Sequence, residues 1–247
     1  MIQSKKLLFL LLVASILFLF VYNAINYDPI QGYDAEAHHE YINNFFSMFM
    51  PGKSDLKTNS FTREFFSPPL PYFLPAFVGA ICRDVITGSD YIEQCKIVYK
   101  SFGQILQYII YLVSLYFYLL SFKIIYKNRV IDNIEILLLI SILTVNYKTF
   151  SMLRGEPYII FFLSLLIYQF LKLTKNNFIY SKKDIVLFGI TIGFLALSRQ
   201  WAFLLFPGFL IVYFYIKNNR SNYLKFMLIS FLIGFSISSW FYFDLFF

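Results

Sequence analysis

Long apolar runs are the feature of this 247-residue chain that most restricts its fold. Hydrophobic residues make up 59% of the sequence and charged residues only 14%, whereas an average globular protein has about 25% charged residues. A helix that crosses a membrane needs roughly 20 mainly apolar residues. The pattern predicts an all-α, multi-pass membrane protein with about seven transmembrane helices, at residues 7–24, 98–122, 134–152, 157–173, 184–198, 201–216 and 225–243.

The basic residues give these spans an orientation. With the N-terminus in the cytoplasm, twelve Lys and Arg residues fall in cytoplasmic segments and three fall in short outside segments, namely Lys148, Arg154 and Arg199. Short cytoplasmic loops carry the excess of basic residues in membrane proteins. The net charge of +7 is then explained by orientation and by contact with lipid headgroups, and we do not expect nucleic acid as a partner.

Residues 1–24 also permit a second interpretation, a cleaved signal peptide with Lys5 and Lys6 as its basic region. The apolar core from Leu7 to Tyr22 is longer than the roughly 7–15 residues usual in signal peptides, which favours a retained first span. Both interpretations place the following long loop, residues 25–97, outside the cytoplasm.

Two cysteines, Cys82 and Cys95, fall in this loop. An extracytoplasmic setting permits a disulfide bond between them. Two cysteines alone do not establish a bond, so a disulfide and two free or buried thiols both stay open.

Titratable residues are concentrated at residues 33–41, Tyr-Asp-Ala-Glu-Ala-His-His-Glu-Tyr, which contain both histidines of the chain and three acids. Ionisable groups kept at membrane level are candidates for a functional site. The segment follows a turn signal, Asn26-Tyr27-Asp28-Pro29. We therefore expect the chemistry of the protein to lie here.

A helix through this segment would be amphipathic and would lie at the membrane interface. At about 100° per residue, four side chains fall on one side within about 60° of arc, namely Asp34, His38, Tyr41 and Phe45. Glu36 and Glu40 point the other way. This phase makes Asp34 a better catalytic candidate than Glu36, which would face water.

The segment Ser67-Pro-Pro-Leu-Pro-Tyr72 precedes an apolar run, residues 73–81, that is too short to span a membrane comfortably. If residues 70–82 did span, every later basic cluster would change sides, which the charge distribution argues against. We therefore predict a juxtamembrane or re-entrant helix here. The Pro-Pro pair suits its first turn, because proline fixes φ and needs no hydrogen-bond donor there.

Two arginines, Arg154 and Arg199, stand at the outer surface against the usual charge preference. A guanidinium group suits bidentate contact with phosphate, so either residue could bind a lipid phosphate. The alternative for each is snorkelling or an ion pair, such as Arg154 with Glu156 or with a loop carboxylate.

Taken together, the Gly32–Ile42 segment and the Ser67–Tyr72 segment resemble the GT-C glycosyltransferases. The resemblance is to the bacterial branch related to protein O-mannosyltransferases and to aminoarabinose transferases of lipid A. In that family a first span leads into an outside loop with a modified acidic motif, here Asp34-Ala35-Glu36, followed by a His, a Tyr and a Pro-Pro-Leu-Tyr-Tyr-like helix. The Arg154-Gly-Glu156 turn is also similar to a recurrent feature of the branch.

This resemblance covers the organisation of residues 1–160 and the rest by topology only. The chain departs from the pattern at Ser67, where many relatives have His, and at Pro71, which interrupts the Leu-Tyr-Tyr sequence. Family members carry several more spans or a soluble domain after the seven-span module. We therefore expect residues 1–247 to be a GT-C-like transmembrane module that is either a fragment or a minimal form.

The resemblance implies inverting transfer of a sugar from a polyprenyl-phosphate carrier, on the extracytoplasmic side of a bacterial inner membrane, to a lipid, glycan or protein acceptor. It implies Asp34 as general base and Glu36 as the second catalytic candidate. The donor phosphate would be bound or supported by four residues, His38, His39, Arg154 and Arg199. If the reaction uses a divalent cation, its ligands would be Asp34, Glu36 and His39.

Other classes of protein stay open. A polytopic transporter or flippase subunit could use Asp34 and the histidines to bind a lipid-linked or anionic substrate, or protons. Against it, the spans hold few charges and no matching pair of Gly/Pro-broken helices. A non-catalytic assembly partner is a third interpretation.

Overall fold

A computed structural model describes residues 2–30, 35–45, 67–85, 91–126, 139, 151–216 and 218–246. Within these ranges the chain is helical and contains no strand, as the predicted all-α class requires. The α-helices are α1 Ile2–Asn26, α2 Ala35–Asn44, α3 Leu70–Val85, α4 Tyr91–Tyr126, α5 Glu156–Lys175, α6 Lys182–Ala196, α7 Pro207–Tyr215 and α8 Arg220–Phe246. A 3₁₀ helix, Gln200–Leu205, precedes α7.

Four of these helices are long and apolar enough to cross a membrane. The qualifying segments lie in α1, α4, α5 and α8, at Ser4–Asn26, Gln94–Tyr126, Glu156–Lys175 and Arg220–Phe243. They coincide with four of the predicted spans. This is the architecture of a membrane protein.

The other three predicted spans have different outcomes. Residues 134–152 lie outside the described residues except for 139, 151 and 152. The span at 184–198 corresponds to α6, whose 15 residues are fewer than a membrane crossing normally needs. The span at 201–216 corresponds to the 3₁₀ helix that ends at Leu205 and to α7 that begins at Pro207, which together form an apolar helical stretch, Gln200–Tyr215, shorter than a membrane crossing normally needs. Proline lacks the N–H that would continue the preceding turn, so it begins a new helix instead.

Helices α6 and α8 approach each other closely at three glycines, Gly189, Gly193 and Gly234. A Cβ atom added at Gly189 would lie 2.7 Å from Cβ of Ile233 and 2.9 Å from the carbonyl oxygen of Ser230. Small residues allow the backbones of neighbouring membrane helices to come together in this way. Helix α6 also contacts α5, which in turn packs on α4, so α4, α5, α6 and α8 form a connected bundle.

The N-terminal end of α4 carries the short helices α2 and α3. A disulfide bond between Cys82 and Cys95 joins α3 to α4, with the two Cα atoms 5.6 Å apart. The sequence left this pairing open, and the structure forms it. Tyr41 of α2 packs with Tyr72 of α3 and Tyr99 of α4 in one buried cluster. The helix that bears both histidines is therefore held by two others.

Candidate functional site

Helix α2 buries the face that its periodicity predicts. His38 is fully buried, Tyr41 and Ile42 are each 1% exposed, and Glu36 is exposed to solvent. The amphipathic phase is therefore confirmed for these four residues, whereas Glu40, predicted to point away from this face, is half-buried. Asp34, which the sequence places on the same face, lies outside the described residues, immediately before the first residue of α2.

His38 is held by a tyrosine from the proline-led helix α3. The hydroxyl group of Tyr72 lies 2.7 Å from Nδ1 of His38, and the two rings stack with their centroids 5.6 Å apart. Both side chains are buried. Tyr72 was not among the predicted site residues, although it ends the Ser67–Tyr72 motif. The contact fixes the orientation of the imidazole ring.

His39, the next residue, is held by a different helix. Its Nδ1 atom hydrogen-bonds to the hydroxyl group of Tyr99 in α4, and these rings also stack with their centroids 5.6 Å apart. Tyr99 lies one turn after Cys95, so it is on the part of α4 that the disulfide ties to α3. The two adjacent histidines are thus oriented by two separate tyrosines.

Ser67 connects α2 to a residue that is 132 positions further along the chain. Its carbonyl oxygen accepts a hydrogen bond of 3.1 Å from the hydroxyl group of Tyr41. Its side-chain oxygen accepts one of 2.9 Å from Nη1 of Arg199. The sequence drew attention to Ser67 only as a departure from the family pattern. In the structure it joins the histidine-bearing helix to one of the two predicted phosphate-binding arginines.

Both predicted arginines converge on one carboxylate, that of Glu156. Arg199 Nη2 lies 3.1 Å from Oε1, and Arg154 Nε lies 3.5 Å from Oε2. The second contact is an ion pair without the geometry of a hydrogen bond. The ion pair of Arg154 with Glu156, which the sequence offered as the alternative to phosphate binding, is present, and Arg199 joins it. We call Ser67, Arg154, Glu156 and Arg199 the arginine site.

Gly155 allows the two turns of the arginine site to meet. A Cβ atom at this position would lie 2.7 Å from the carbonyl oxygen of Ser198 and 3.1 Å from Cγ of Arg199. A residue with a side chain would therefore push the turn before α5 away from the turn after α6. The close approach brings Arg199 within reach of Glu156.

Glutamines of α4, which the sequence analysis did not single out, support the same turn. Gln107 donates a hydrogen bond of 3.0 Å to the carbonyl oxygen of Met152, and its Oε1 atom accepts one of 3.4 Å from the backbone N–H of Arg154. Gln104 donates to the carbonyl oxygen of Ser151 at 3.0 Å. Polar side chains inside a long apolar helix are the signal that could have identified them.

The arginine site presents donors that suit an anion. Two guanidinium groups face the carboxylate of Glu156. The side chains of Arg199, Arg154 and Glu156 are 15%, 20% and 27% exposed. Partial burial weakens the screening by water and so strengthens the attraction for a negative group. Arginine presents several donors in a planar fork that matches phosphate oxygens.

A metal centre is not formed by the described residues, among which no group of three or more His, Cys, Asp or Glu side chains is placed to hold an ion. Of the predicted ligands, Glu36 is exposed and Nδ1 of His39 is bonded to Tyr99. The third predicted ligand, Asp34, lies outside the described residues. A divalent cation therefore stays a prediction.

The fold and site together define a helical membrane protein in which two arginines and a glutamate lie next to a pair of oriented histidines. Comparison with known proteins finds no matching family model, no similar curated protein and no similar solved structure. The geometry of the site is therefore the basis on which a function can be proposed.

Proposed function

We propose that the chain is a GT-C-type membrane glycosyltransferase that moves a sugar from a polyprenyl-phosphate-linked donor to an acceptor hydroxyl or phosphate. The observation that carries the proposal is the convergence of Ser67, Arg199 and Glu156, which are far apart in the sequence, beside the helix that bears His38. A donor of this kind presents a phosphate next to the bond that breaks. The site offers guanidinium groups for that phosphate, and we propose that Asp34, which directly precedes α2 in the sequence, serves the acceptor.

The arginine site would bind the phosphate of the donor. In the free protein, Glu156 balances part of the charge of Arg154 and Arg199, which keeps two guanidinium groups side by side at low energetic cost. An incoming phosphate would accept hydrogen bonds from the same guanidinium groups. When the sugar leaves, negative charge develops on the lipid phosphate, and fixed cations at that position stabilise the transition state.

We propose Asp34 as the general base. It would remove the proton from the acceptor hydroxyl group while the acceptor oxygen attacks the anomeric carbon and the bond to the lipid phosphate breaks. His38 follows one helical turn later, and its ring is fixed by Tyr72, which suits a residue that orients Asp34. Glu36 is the second catalytic candidate. His39, whose Nδ1 atom is hydrogen-bonded to Tyr99, would support the binding of the donor phosphate.

The disulfide bond supports an extracytoplasmic position for the site, because disulfides persist in oxidising compartments. The basic residues at the opposite ends of the bundle helices support the same orientation. They include Lys123 at the end of α4, Lys175 at the end of α5 and Lys182 at the start of α6. We propose that catalysis takes place on the outer face of the membrane, which the family resemblance suggests is a bacterial inner membrane.

The proposal is tested by reconstituting the purified chain in liposomes that contain radiolabelled polyprenyl-phosphate-linked hexoses or pentoses. Labelled sugar should appear on added lipid, glycan or protein acceptors only when the chain is present. No transfer to any acceptor, combined with movement of the lipid-linked sugar between leaflets, would instead identify a transporter. Neither transfer nor movement would favour a non-catalytic assembly partner.

A further inference from the structure

A second feature lies at the other end of the bundle from the arginine site. Helix α7 and the first turns of α8 enclose an open cleft of about 430 Å³. Its walls are aromatic and aliphatic side chains, among them Phe209, Tyr213, Phe214, Leu224, Leu228 and Phe231. This volume lies within the range of roughly 300–1,000 Å³ that is usual for sites of small molecules. The cleft is thus a concave apolar surface on helices that the fold places in a membrane.

A fixed cation stands at one end of this cleft. The guanidinium carbon of Arg220 lies 5.7 Å from the centroid of the Tyr213 ring, which lines the cleft. Arg220 Nε donates a hydrogen bond of 2.5 Å to the carbonyl oxygen of Ile216, and Nη2 donates one of 3.4 Å to that of Phe214. At about 100° per residue, Arg220 falls on the same face of α8 as the lining residue Leu224. The guanidinium group of Arg220 is therefore held at the edge of the apolar cleft.

The surroundings of Arg220 are strongly basic. Asn219 donates a hydrogen bond of 2.8 Å to the carbonyl oxygen of Asn177, which joins the turn before α8 to the turn between α5 and α6. Among the described residues of these two turns and the adjoining helix ends, one acid, Asp184, stands against six basic residues: Lys172, Lys175, Lys182, Lys183, Arg220 and Lys225. These basic residues would therefore attract an anion near the cleft.

We propose that the cleft binds an anionic glycerophospholipid of the cytoplasmic leaflet, with an acyl chain against the apolar wall and its phosphate at Arg220. An apolar wall alone would accept any acyl chain, so the fixed cation decides between lipids. A zwitterionic headgroup carries its own cation and gains less from Arg220 than an anionic headgroup does. Basic residues at the cytoplasmic surface attract anionic lipids in this way. The proposal uses the orientation given by the basic residues and is independent of sugar transfer.

Native mass spectrometry of the full chain in detergent tests this assignment. The protein is incubated with equal amounts of phosphatidylglycerol and phosphatidylcholine that have the same acyl chains, and the retained lipids are counted. We expect a preference for phosphatidylglycerol of about fivefold, the size of effect that one basic residue has near a charged membrane surface. Arg220→Gln should abolish the preference. Lys123→Gln, which removes a charge at the end of α4, outside this basic cluster and away from the cleft lining, should keep it.

A second pair of variants tests the apolar wall. Leu228→Trp fills the cleft and should reduce retention of phosphatidylglycerol, whereas Ile229→Trp, on an exposed face of α8 that does not line the cleft, should not. Circular dichroism and size-exclusion chromatography check that each variant is folded. Equal retention of the two lipids by the unmodified chain would overturn the proposal. A preference for phosphatidylglycerol that survives both Arg220→Gln and Leu228→Trp would also overturn the proposal. So would a dimer that only Leu228→Trp dissociates, because a second copy of the chain would then occupy the cleft.

Discussion

The hydroxyl group of Tyr72 lies 2.7 Å from Nδ1 of His38, and this contact joins the proline-led helix α3 to the histidine-bearing helix α2. The two residues are 34 positions apart, and each belongs to one of the two sequence segments on which the family resemblance rests. Since both side chains are buried, neither segment can move far without the other. The two segments therefore act as one structural unit.

Replacing Tyr72 with Phe should weaken this unit without emptying the space that the ring fills. Loss of one buried hydrogen bond typically costs about 0.5–1.5 kcal/mol in the free energy of unfolding. We also expect a lower rate of sugar transfer, because the ring of His38 is less firmly oriented. Thermal unfolding and transfer rates measure the two effects. Tyr22→Phe, at a 54% exposed position of α1, is the control. Unchanged stability and rate in Tyr72→Phe would contradict a positioning role.

Removing the disulfide by Cys82→Ser together with Cys95→Ser should destabilise the end of the bundle that carries the site. The bond closes a short loop, with 13 residues of sequence separation, for which a loss of about 3 kcal/mol is typical. Denaturant unfolding measures the loss. In the unmodified chain, maleimide should label the two cysteines only after reduction. Labelling without a reductant would show that the thiols are free and would contradict the pairing.

The glycine contacts between α6 and α8 predict that adding one methyl group there lowers the stability of the protein strongly. In Gly189→Ala the new Cβ atom would meet Cβ of Ile233 and a backbone oxygen, so the helices must move apart. Overpacking of this kind costs about 1–3 kcal/mol. Gly208→Ala is the matched control, because no neighbouring atom lies within 4 Å of the added Cβ. If both variants unfold at the same temperature, the close packing of α6 and α8 is wrong.

The burial of α2 could be predicted from the sequence, because a helix of regular period must place His38, Tyr41 and Phe45 on one side. The residues that contact this face could not be predicted from the sequence. Tyr72, and Arg199 as the partner of Ser67, come from distant parts of the chain, and no local pattern specifies which distant side chain will arrive. Long-range pairing is a property of the packed helices and not of any one segment.

The arrangement of Arg154 and Arg199 could be predicted from the sequence only in part. The charge distribution predicts an outer-surface position for both, and the ion pair of Arg154 with Glu156 is one of the two alternatives that the sequence left open. The arrival of Arg199 at the same carboxylate depends on Gly155, whose missing side chain allows two turns to touch. Within the predicted span at 201–216 the helix type changes before Pro207, a break that hydropathy does not register.

Replacing Arg199 with Gln should impair both the binding of the donor and the chemical step, because the same cation faces the phosphate before and during the loss of the sugar. The variant loses one cation from the arginine site while Arg154 and Glu156 remain. Loss of a charge-assisted contact to phosphate corresponds to roughly 1.5–3 kcal/mol, so we expect KM for the polyprenyl-phosphate donor to rise about tenfold or more. Steady-state kinetics separate KM from kcat. Arg83→Gln, which alters a surface contact between α3 and α2, is the control. A fall in kcat at constant KM would contradict a role in donor binding.

The central claim, that Asp34 is the base of a sugar transferase, is tested most directly by the initial rate of sugar transfer in Asp34→Asn. The matched control is Glu40→Gln, an acid on the same nonapeptide that the helical phase directs away from His38. General-base catalysis typically contributes about 10²–10⁴-fold. We predict that Asp34→Asn lowers the rate at least about 100-fold at saturating donor, with normal protein yield and donor binding, while Glu40→Gln stays close to the unmodified rate. A transfer rate in Asp34→Asn equal to that of the unmodified chain would contradict the assignment.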